Sequence, residues 1–207
     1  YIPCGSTNDF AASHGLSTDI IEAAEHIASG YSTRYDIGCF GGRHFTYVAA
    51  FGAFSWLSYT TDQNMKNVLG HTAYILDAIK DLYKIKPLHM KVTADGVTHE
   101  DDYIFGAICN TTSVAGTITL PSAMVDTADG VFEVLLVKMP KTMLELDMII
   151  RGLLSQDYSC PNIDLFQAKE LDIENPPELE WSLDGEASGV MDKAHVSVIP
   201  RFLNLRG

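Results

Sequence analysis

Positively charged residues are scarce in this sequence. It has 14 Lys and Arg residues against 27 Asp and Glu residues, so the formal net charge is −13. A surface that binds nucleic acid needs a basic footprint to neutralise phosphates, and anionic membranes attract clusters of Lys and Arg. The charge therefore argues against nucleic acid as a partner and against simple electrostatic attachment to a membrane. It leaves open the uptake of a lipid into an apolar pocket.

Cysteine and long hydrophobic runs are also scarce. The four cysteines are widely spaced without a Cys-x-x-Cys pair, so neither a zinc site nor a redox motif is indicated, and reduced cysteines in the cytoplasm are expected. The seven histidines form neither a His-x-x-x-His nor a His-Glu-x-x-His pattern. No apolar stretch is long enough to span a bilayer as a helix.

Hydrophobic residues make up 46% of the 207 positions, enough for one large domain or for one domain and part of another. Apolar residues at helical spacing predict helices over 17–30, 71–83 and 142–154. Runs rich in β-branched and aromatic residues predict strands over 31–38, 44–51, 88–95, 102–111, 131–139, 163–173, 179–186 and 194–200.

Strands outnumber helices and follow one another directly over most of the chain, which favours an antiparallel sandwich or barrel. The first 36 residues differ, because their order of loop, short helix, loop, longer helix and strand is typical of the end of an α/β unit. We therefore predict an α+β chain in which a β-rich sandwich domain over 37–195 follows the tail of an α/β domain over 1–36.

The loop at the start of the chain is rich in Gly, Ser, Thr and Asn and runs into a short apolar segment at Asn8-Asp9. Such a loop presents backbone N–H groups to an anion such as a phosphate. No Lys follows, which excludes a Walker A loop. The residues alone favour the simpler interpretation, in which Asn8 or Asp9 caps a helix.

Two further acidic turns carry candidate chemistry. The segment from Asp126 to Gly130 places two carboxylates three residues apart, which suits a hard divalent cation. A solvated turn with Gly130 at positive φ explains the same residues. Asp184-Gly185 is a strong signal for a two-residue hairpin. A rigid turn would hold Asp184 and Glu186 close together, as in sites of general acid–base catalysis.

Taken together, the segments IPCGSTNDFA, YDIG, LPSAMVDTADGVFEVLLV and WSLDGE resemble the bacterial soluble diacylglycerol kinases, which are related to sphingosine kinases. The resemblance covers the chain in order. It implies an N-terminal α/β nucleotide-binding domain, a C-terminal β-sandwich and an active site between them. It also implies that residues 196–207 return to the first domain, and that the Gly-Gly-Asp-Gly-Thr loop of the family would lie before residue 1.

The resemblance assigns a role to each candidate residue. Gly5, Ser6, Asn8 and Asp9 match the loop near the nucleotide phosphates. Asp36 in YDIG matches an acidic position at the interdomain cleft, and we group it with the cofactor-binding residues.

Three residues match a structural Mg²⁺ site, in which Asp129 is the acidic ligand and the backbone carbonyls of Asp126 and Val131 are co-ligands. A further contribution from the Asp126 side chain is left open. Asp184 and Glu186 match the Asp-Gly-Glu acids, one of which serves as the base. The residues leave open which one.

The resemblance implies ATP and Mg²⁺ as cofactors and a diacylglycerol-like lipid as substrate. It implies a cytoplasmic enzyme that acts transiently at the inner face of the membrane, and it leaves a homodimer open. Two alternatives are left open by the sequence. One is a lipid-binding module in which the acids are remnants, and the other is a related kinase with a sphingoid or soluble acceptor.

Overall fold

The computed structural model describes residues 1–4, 8–52, 86–114 and 118–206. Within these ranges the helices are α1 (Asp9–Ser13), α2 (Ile20–Ser29) and α3 (Met143–Ser155). The strands are β1 (Ser32–Phe40), β2 (Arg43–Phe45), β3 (Val48–Gly52), β4 (Leu88–Ala94), β5 (Val97–Cys109), β6 (Ser113–Val114), β7 (Ile118–Thr119), β8 (Phe132–Lys138), β9 (Ile163–Ala168), β10 (Glu170–Glu174), β11 (Glu180–Leu183), β12 (Glu186–Val190) and β13 (Lys193–Arg206).

The two longer helices lie where the sequence predicts helices, although α2 starts three residues inside its predicted range and α3 is shifted by one residue. The Asp19 carboxylate accepts hydrogen bonds from the N–H groups of the first turn of α2, and Gly30 ends that helix at φ +82°. The Thr142 hydroxyl caps α3 by accepting the N–H of Glu145. The predictions over 17–30 and 142–154 are therefore confirmed. The helix predicted over 71–83 lies outside the described residues.

Most strands form one antiparallel sheet in the order β12-β11-β3-β5-β4-β10-β13-β1-β2, and β8 and β9 branch from β5. The long strand β5 explains the branch, because its first half pairs with β4 and its second half pairs with both β3 and β8. The sheet therefore divides into two layers at β5. The prediction of a β-rich, sandwich-like fold is confirmed.

Three segments were each predicted as one strand, and this is wrong, because each contains parts of two strands. The segment 44–51 is two strands, β2 and β3, which lie at distant positions in the sheet. The segment 163–173 is divided at Lys169 into β9 and β10, and the segment 179–186 turns back on itself after Leu183. In each case a turn or a bend interrupts a sequence that has suitable β-propensity throughout.

Apolar side chains fill two clusters that β8 separates. Phe132, Val134 and Leu136 point into one cluster, and Leu135 and Val137 point into the other. A strand buried on both faces explains the nearly continuous apolar run from 131 to 137. The first cluster is built around Trp181, and the second packs the sheet against the buried face of α3.

The chain division predicted at 36/37 and 195/196 falls inside secondary structure. Strand β1 runs through the first position and β13 through the second, and the two strands pair from Ser32↔Arg206 to Phe40↔Val196 with an irregularity between Tyr35 and Ile37. The division into domains stays a prediction. None of the helices in the described ranges has the length and apolar character of a membrane-spanning helix.

Candidate active site

The Asp184-Gly185 turn joins β11 to β12 at one end of the sheet. Asp184 has φ +52° and Gly185 has φ +91°, which is the pair of left-handed residues that a tight two-residue hairpin requires. Leu183 pairs with Glu186 across the turn. The local sequence therefore produces the hairpin that it predicts, with Asp184 in the turn itself and Glu186 at the start of the strand that follows.

The Asp184 carboxylate is fully engaged by the link between β2 and β3. One oxygen accepts the backbone N–H of Thr46 at 2.7 Å and its hydroxyl at 3.0 Å. The other accepts the N–H groups of Tyr47 at 2.8 Å and Val48 at 2.9 Å. The backbone N–H of Asp184 also donates to the Val48 carbonyl at 2.8 Å. These bonds give Asp184 a structural role, since a carboxylate that already accepts four donors is poorly placed to take a proton from a substrate.

Glu186 has the opposite environment. It is the first residue of β12 and is exposed. Its carboxylate forms no hydrogen bond or ion pair with any residue that the structure describes. The hairpin therefore holds one satisfied acid and one acid that is available to a ligand. Sequence reasoning found both residues but could not separate their roles.

Asp36 is buried at the irregularity between β1 and β13. Asp36 is only 1% exposed. One carboxylate oxygen accepts the backbone N–H of Gly130 and the other accepts that of Arg201, both at an N–O distance of 2.6 Å. Its own N–H donates to the Thr127 carbonyl, and its carbonyl accepts from the Asn110 side chain at 2.9 Å. Asp36 thus joins the acidic turn to the strand pair. Its role in cofactor binding stays a prediction.

The acidic turn beside Asp36 has the donor chemistry of a hard cation site. Asp126 accepts the N–H of Ala128 at 3.0 Å, and Asp129 accepts the N–H of Val131 at 3.1 Å. Partial burial raises the pKa of Asp129, and the neighbouring carboxylates of Asp126 and Asp36 raise it further. In the described ranges, no group of three His, Cys, Asp or Glu side chains could hold a metal. A cation bound here would need carbonyl and water oxygens as well, which suits Mg²⁺.

Glu133 is a buried acid that the sequence analysis missed. It is 0% exposed, one oxygen accepts from the Gln167 side chain at 3.1 Å, and the other has no partner among the described residues. Burial raises its pKa to about 7, and the carboxylates of Asp129 and Asp126 add to the rise. An acid inside the apolar run VFEVLLV is the signal that could have found it.

The N-terminal loop is described only in part. Gly5 and Ser6 lie outside the described residues, as does the side chain of Asp9, the first residue of α1. Asn8 precedes α1 at φ +52° and accepts the N–H of Ala12 on its carbonyl. The hydroxyl of Ser13 contacts those of Thr111 and Thr112, which fixes α1 against the loop after β5. The phosphate-binding role of this loop stays a prediction.

The chain matches known proteins over its whole length. Residues 53–207 match the family model described as the YegS C-terminal NAD kinase beta sandwich-like domain. Residues 1–40 match the diacylglycerol kinase catalytic domain. The chain is 30% identical over 99% of its length to a diacylglycerol kinase of Staphylococcus aureus, and 29% identical over 99% to one of Staphylococcus saprophyticus. It spans 62% and 65% of the lengths of these two relatives, which is less than two thirds.

A solved structure described as a diacylglycerol kinase from Bacillus anthracis gives the same result. It superimposes with a TM-score of 0.71 at 25% identity, covering 99% of this chain and 67% of the other. A second structure from that organism has a TM-score of 0.75 at 25% identity and covers 99% of this chain and 66% of the other. The chain therefore belongs to the bacterial diacylglycerol kinase-like lipid kinase family.

Proposed function

We propose that this chain is the C-terminal portion of an ATP-dependent lipid kinase that phosphorylates the hydroxyl group of a diacylglycerol-like lipid at the inner face of the membrane. The observation that carries the proposal is the exposed Glu186 carboxylate, which is free of partners in the described structure and lies next to a turn that Asp184 fixes. The relatives named diacylglycerol kinase support the reaction class.

In this proposal Glu186 is the general base. The acceptor O–H bond breaks and its proton passes to the Glu186 carboxylate. The acceptor oxygen then bonds to the γ-phosphorus of ATP, and the bond from that phosphorus to ADP breaks. Phosphoryl transfer depends mainly on positioning and charge stabilisation. We expect Gly5, Ser6, Asn8 and Asp9 to contribute backbone and side-chain donors to the phosphates.

The proposal is tested by phosphate transfer from labelled ATP to a panel of acceptors: diacylglycerol, monoacylglycerol, sphingosine and undecaprenol. The protein is the parent chain, extended upstream to its natural start, because we expect residues 1–207 alone to be inactive. Label in diacylglycerol identifies the kinase and its acceptor. Label only in sphingosine moves the acceptor to a sphingoid base. No label in any lipid, from a folded parent protein, favours a soluble acceptor or the lipid-binding module.

We also propose that Mg²⁺ binds at the acidic turn, where Asp129 supplies a carboxylate oxygen and Asp126 and Val131 supply backbone carbonyl oxygens. The ion would neutralise the negative charge of the neighbouring carboxylates of Asp129, Asp126 and Asp36. It would thereby stabilise the acidic turn, whose Gly130 N–H binds Asp36. This role is structural, and it places no step of the reaction on the ion.

Substitution of Asp129 by Asn should abolish the effect of Mg²⁺ on thermal stability. Asn keeps an oxygen that can accept the N–H of Val131 but removes the charge that favours a cation. A ligand that binds only the native state stabilises it by about 2.7 kcal/mol at 100 times its Kd, so the wild-type Tm should rise with MgCl₂ while that of the variant stays constant.

Asp157 provides a matched control for this measurement. Its carboxylate accepts the N–H of Ser159 at 3.1 Å in the same kind of turn, just beyond the end of α3. Asp157→Asn should keep the wild-type response to MgCl₂. An Asp129→Asn protein whose Tm rises with MgCl₂ as much as the wild type would exclude the proposed ion site.

A further inference from the structure

The two terminal strands of the main sheet, β2 and β12, lie near each other but are not paired through their backbones. We call the junction between them the seam. Strand β2 is the last strand at one end of the sheet order, and β12 is the last at the other. The chain crosses this seam at Thr46 and Tyr47, where it passes from β2 to β3. Side chains hold the seam together: the Asp184 carboxylate binds Thr46 and Tyr47, and Arg43 reaches from β2 to β12.

Arg43 binds β12 two residues beyond Glu186. Its Nη1 donates to the Ser188 carbonyl at 2.6 Å and lies 3.5 Å from the Ala187 carbonyl. Ser188 is 9% exposed and its contact with Arg43 is partly buried, so loss of the donor would leave its carbonyl with limited access to water. The contact is charge-assisted and short, which places it among the stronger hydrogen bonds in proteins.

The backbone of β12 needs this support because its pairing with β11 is irregular. Leu183 pairs with Glu186 and Ser182 with Ala187, but Glu180 pairs with Val190, so the register shifts between them. Gly189 lies within that shift at φ +86°. An edge strand with an irregular ladder has fewer backbone bonds to fix its position. Arg43 supplies a bond at Ser188, where the ladder is disrupted.

Glu186 lies between the two contacts. On one side its neighbour Asp184 is fixed by Thr46, Tyr47 and Val48, and on the other side Ser188 is fixed by Arg43. The Glu186 carboxylate itself has no partner in the described part of the chain, so only its backbone determines where it sits.

We propose that Arg43 is a positioning residue that holds Glu186 at the reacting centre by fixing β12 across the seam. The proposal rests on the function proposed above. A catalytic group must be held in a near-attack geometry, and a displacement of about 1 Å can cost about 10²-fold in rate. Arg43→Met removes the donor and keeps most of the stem, whereas Arg43→Lys keeps one donor.

The test uses the parent protein and compares Arg43→Met, Arg43→Lys and Arg151→Met. Arg151 is the matched control, because it is an exposed arginine on α3 whose Nε pairs with Asp147 at 2.7 Å, away from the hairpin. We expect Arg43→Met to lower kcat by about 10- to 10²-fold with KM for ATP nearly unchanged. Arg43→Lys should recover part of the loss, and Arg151→Met should behave as the wild type.

Amide hydrogen exchange gives a second readout that does not need activity. In Arg43→Met the amides of residues 186–190 should exchange faster, while those of β5 and β8 stay protected. If the wild-type parent transfers no phosphate to any acceptor, the proposed function and the catalytic part of this proposal both fail, and the exchange result decides only whether Arg43 fixes β12. Wild-type kcat, unchanged exchange over 186–190, or a uniform loss of protection across the sheet would each overturn the proposal.

Discussion

Glu186→Gln should lower phosphoryl transfer by about 10²- to 10⁴-fold, the range that general-base catalysis contributes. The substitution keeps the size of the side chain and removes its ability to accept a proton. Because the Glu186 carboxylate makes no bond within the described structure, Tm should stay within experimental error of the wild-type value. The measurement is kcat for the best acceptor lipid, together with a melting curve, on the parent protein.

Glu180→Gln is the control for this prediction. Glu180 is an exposed acid on β11 of the same hairpin, so its variant removes the same charge from the same part of the surface. We expect it to retain nearly full activity. A Glu186→Gln enzyme with wild-type kcat would exclude Glu186 as the base.

The same experiment on Asp184 separates the two acids. Asp184→Asn replaces a carboxylate that accepts four hydrogen bonds with an amide whose NH₂ faces N–H donors, so we expect a lower Tm. Loss of turnover in Asp184→Asn would then follow from a disturbed hairpin. If Asp184→Asn loses turnover with an unchanged melting curve while Glu186→Gln stays active, Asp184 is the base.

Local signals predicted the features that local sequence determines. Asp19 and Thr142 cap helices at the expected positions, and Asp184-Gly185 forms the expected hairpin. The apolar run around Leu135 forms a strand, as predicted over 131–139. In the caps and the turn the deciding hydrogen bonds or backbone angles lie within a few residues, and in the strand the composition is a sufficient signal.

Two of the three wrong strands, 44–51 and 163–173, have a common physical cause. Residues 44–51 look like one strand, but the Asp184 carboxylate, 138 residues away, binds the N–H of Thr46 and bends the chain there. Likewise Asp95, in the turn between β4 and β5, binds the N–H groups of Lys169 and Glu170 and interrupts the segment 163–173. When the interrupting carboxylate belongs to a distant turn, the sequence of the interrupted strand does not predict the interruption.

The same cause explains why the sequence could name these acids but not their contacts. Asp36, Asp184 and Glu186 all belong to segments that carry the family resemblance, which implies cofactor binding for Asp36 and leaves open which of the other two is the base. Only the contacts show that Asp36 and Asp184 bind backbone N–H groups while Glu186 does not. The distinction depends on long-range pairing, which sets where each carboxylate finds its donors.

Asp36→Asn should produce a large loss of stability. Both oxygens of Asp36 accept backbone N–H groups at 2.6 Å in a buried position, and an amide can accept only one of them. A hydrogen bond to a charged group contributes about 1.5–3 kcal/mol, and a buried N–H that loses its acceptor costs about 1–3 kcal/mol. We therefore expect the free energy of unfolding to fall by about 3 kcal/mol. For a chain of this size that corresponds to a Tm lower by roughly 6–12 °C.

The stability of Asp36→Asn decides between two roles for Asp36. The resemblance implies cofactor binding, whereas the contacts indicate that Asp36 holds the acidic turn to β13. Asp172→Asn is the control, since that acid is exposed and, among the described residues, pairs only with His195 at the surface, where an ion pair contributes little. In Asp36→Asn, faster amide exchange at Gly130 and Arg201 would show that the acidic turn and β13 have separated. A variant with wild-type Tm and exchange but weaker ATP binding would instead establish the cofactor role, because the two N–H groups would then have found other acceptors.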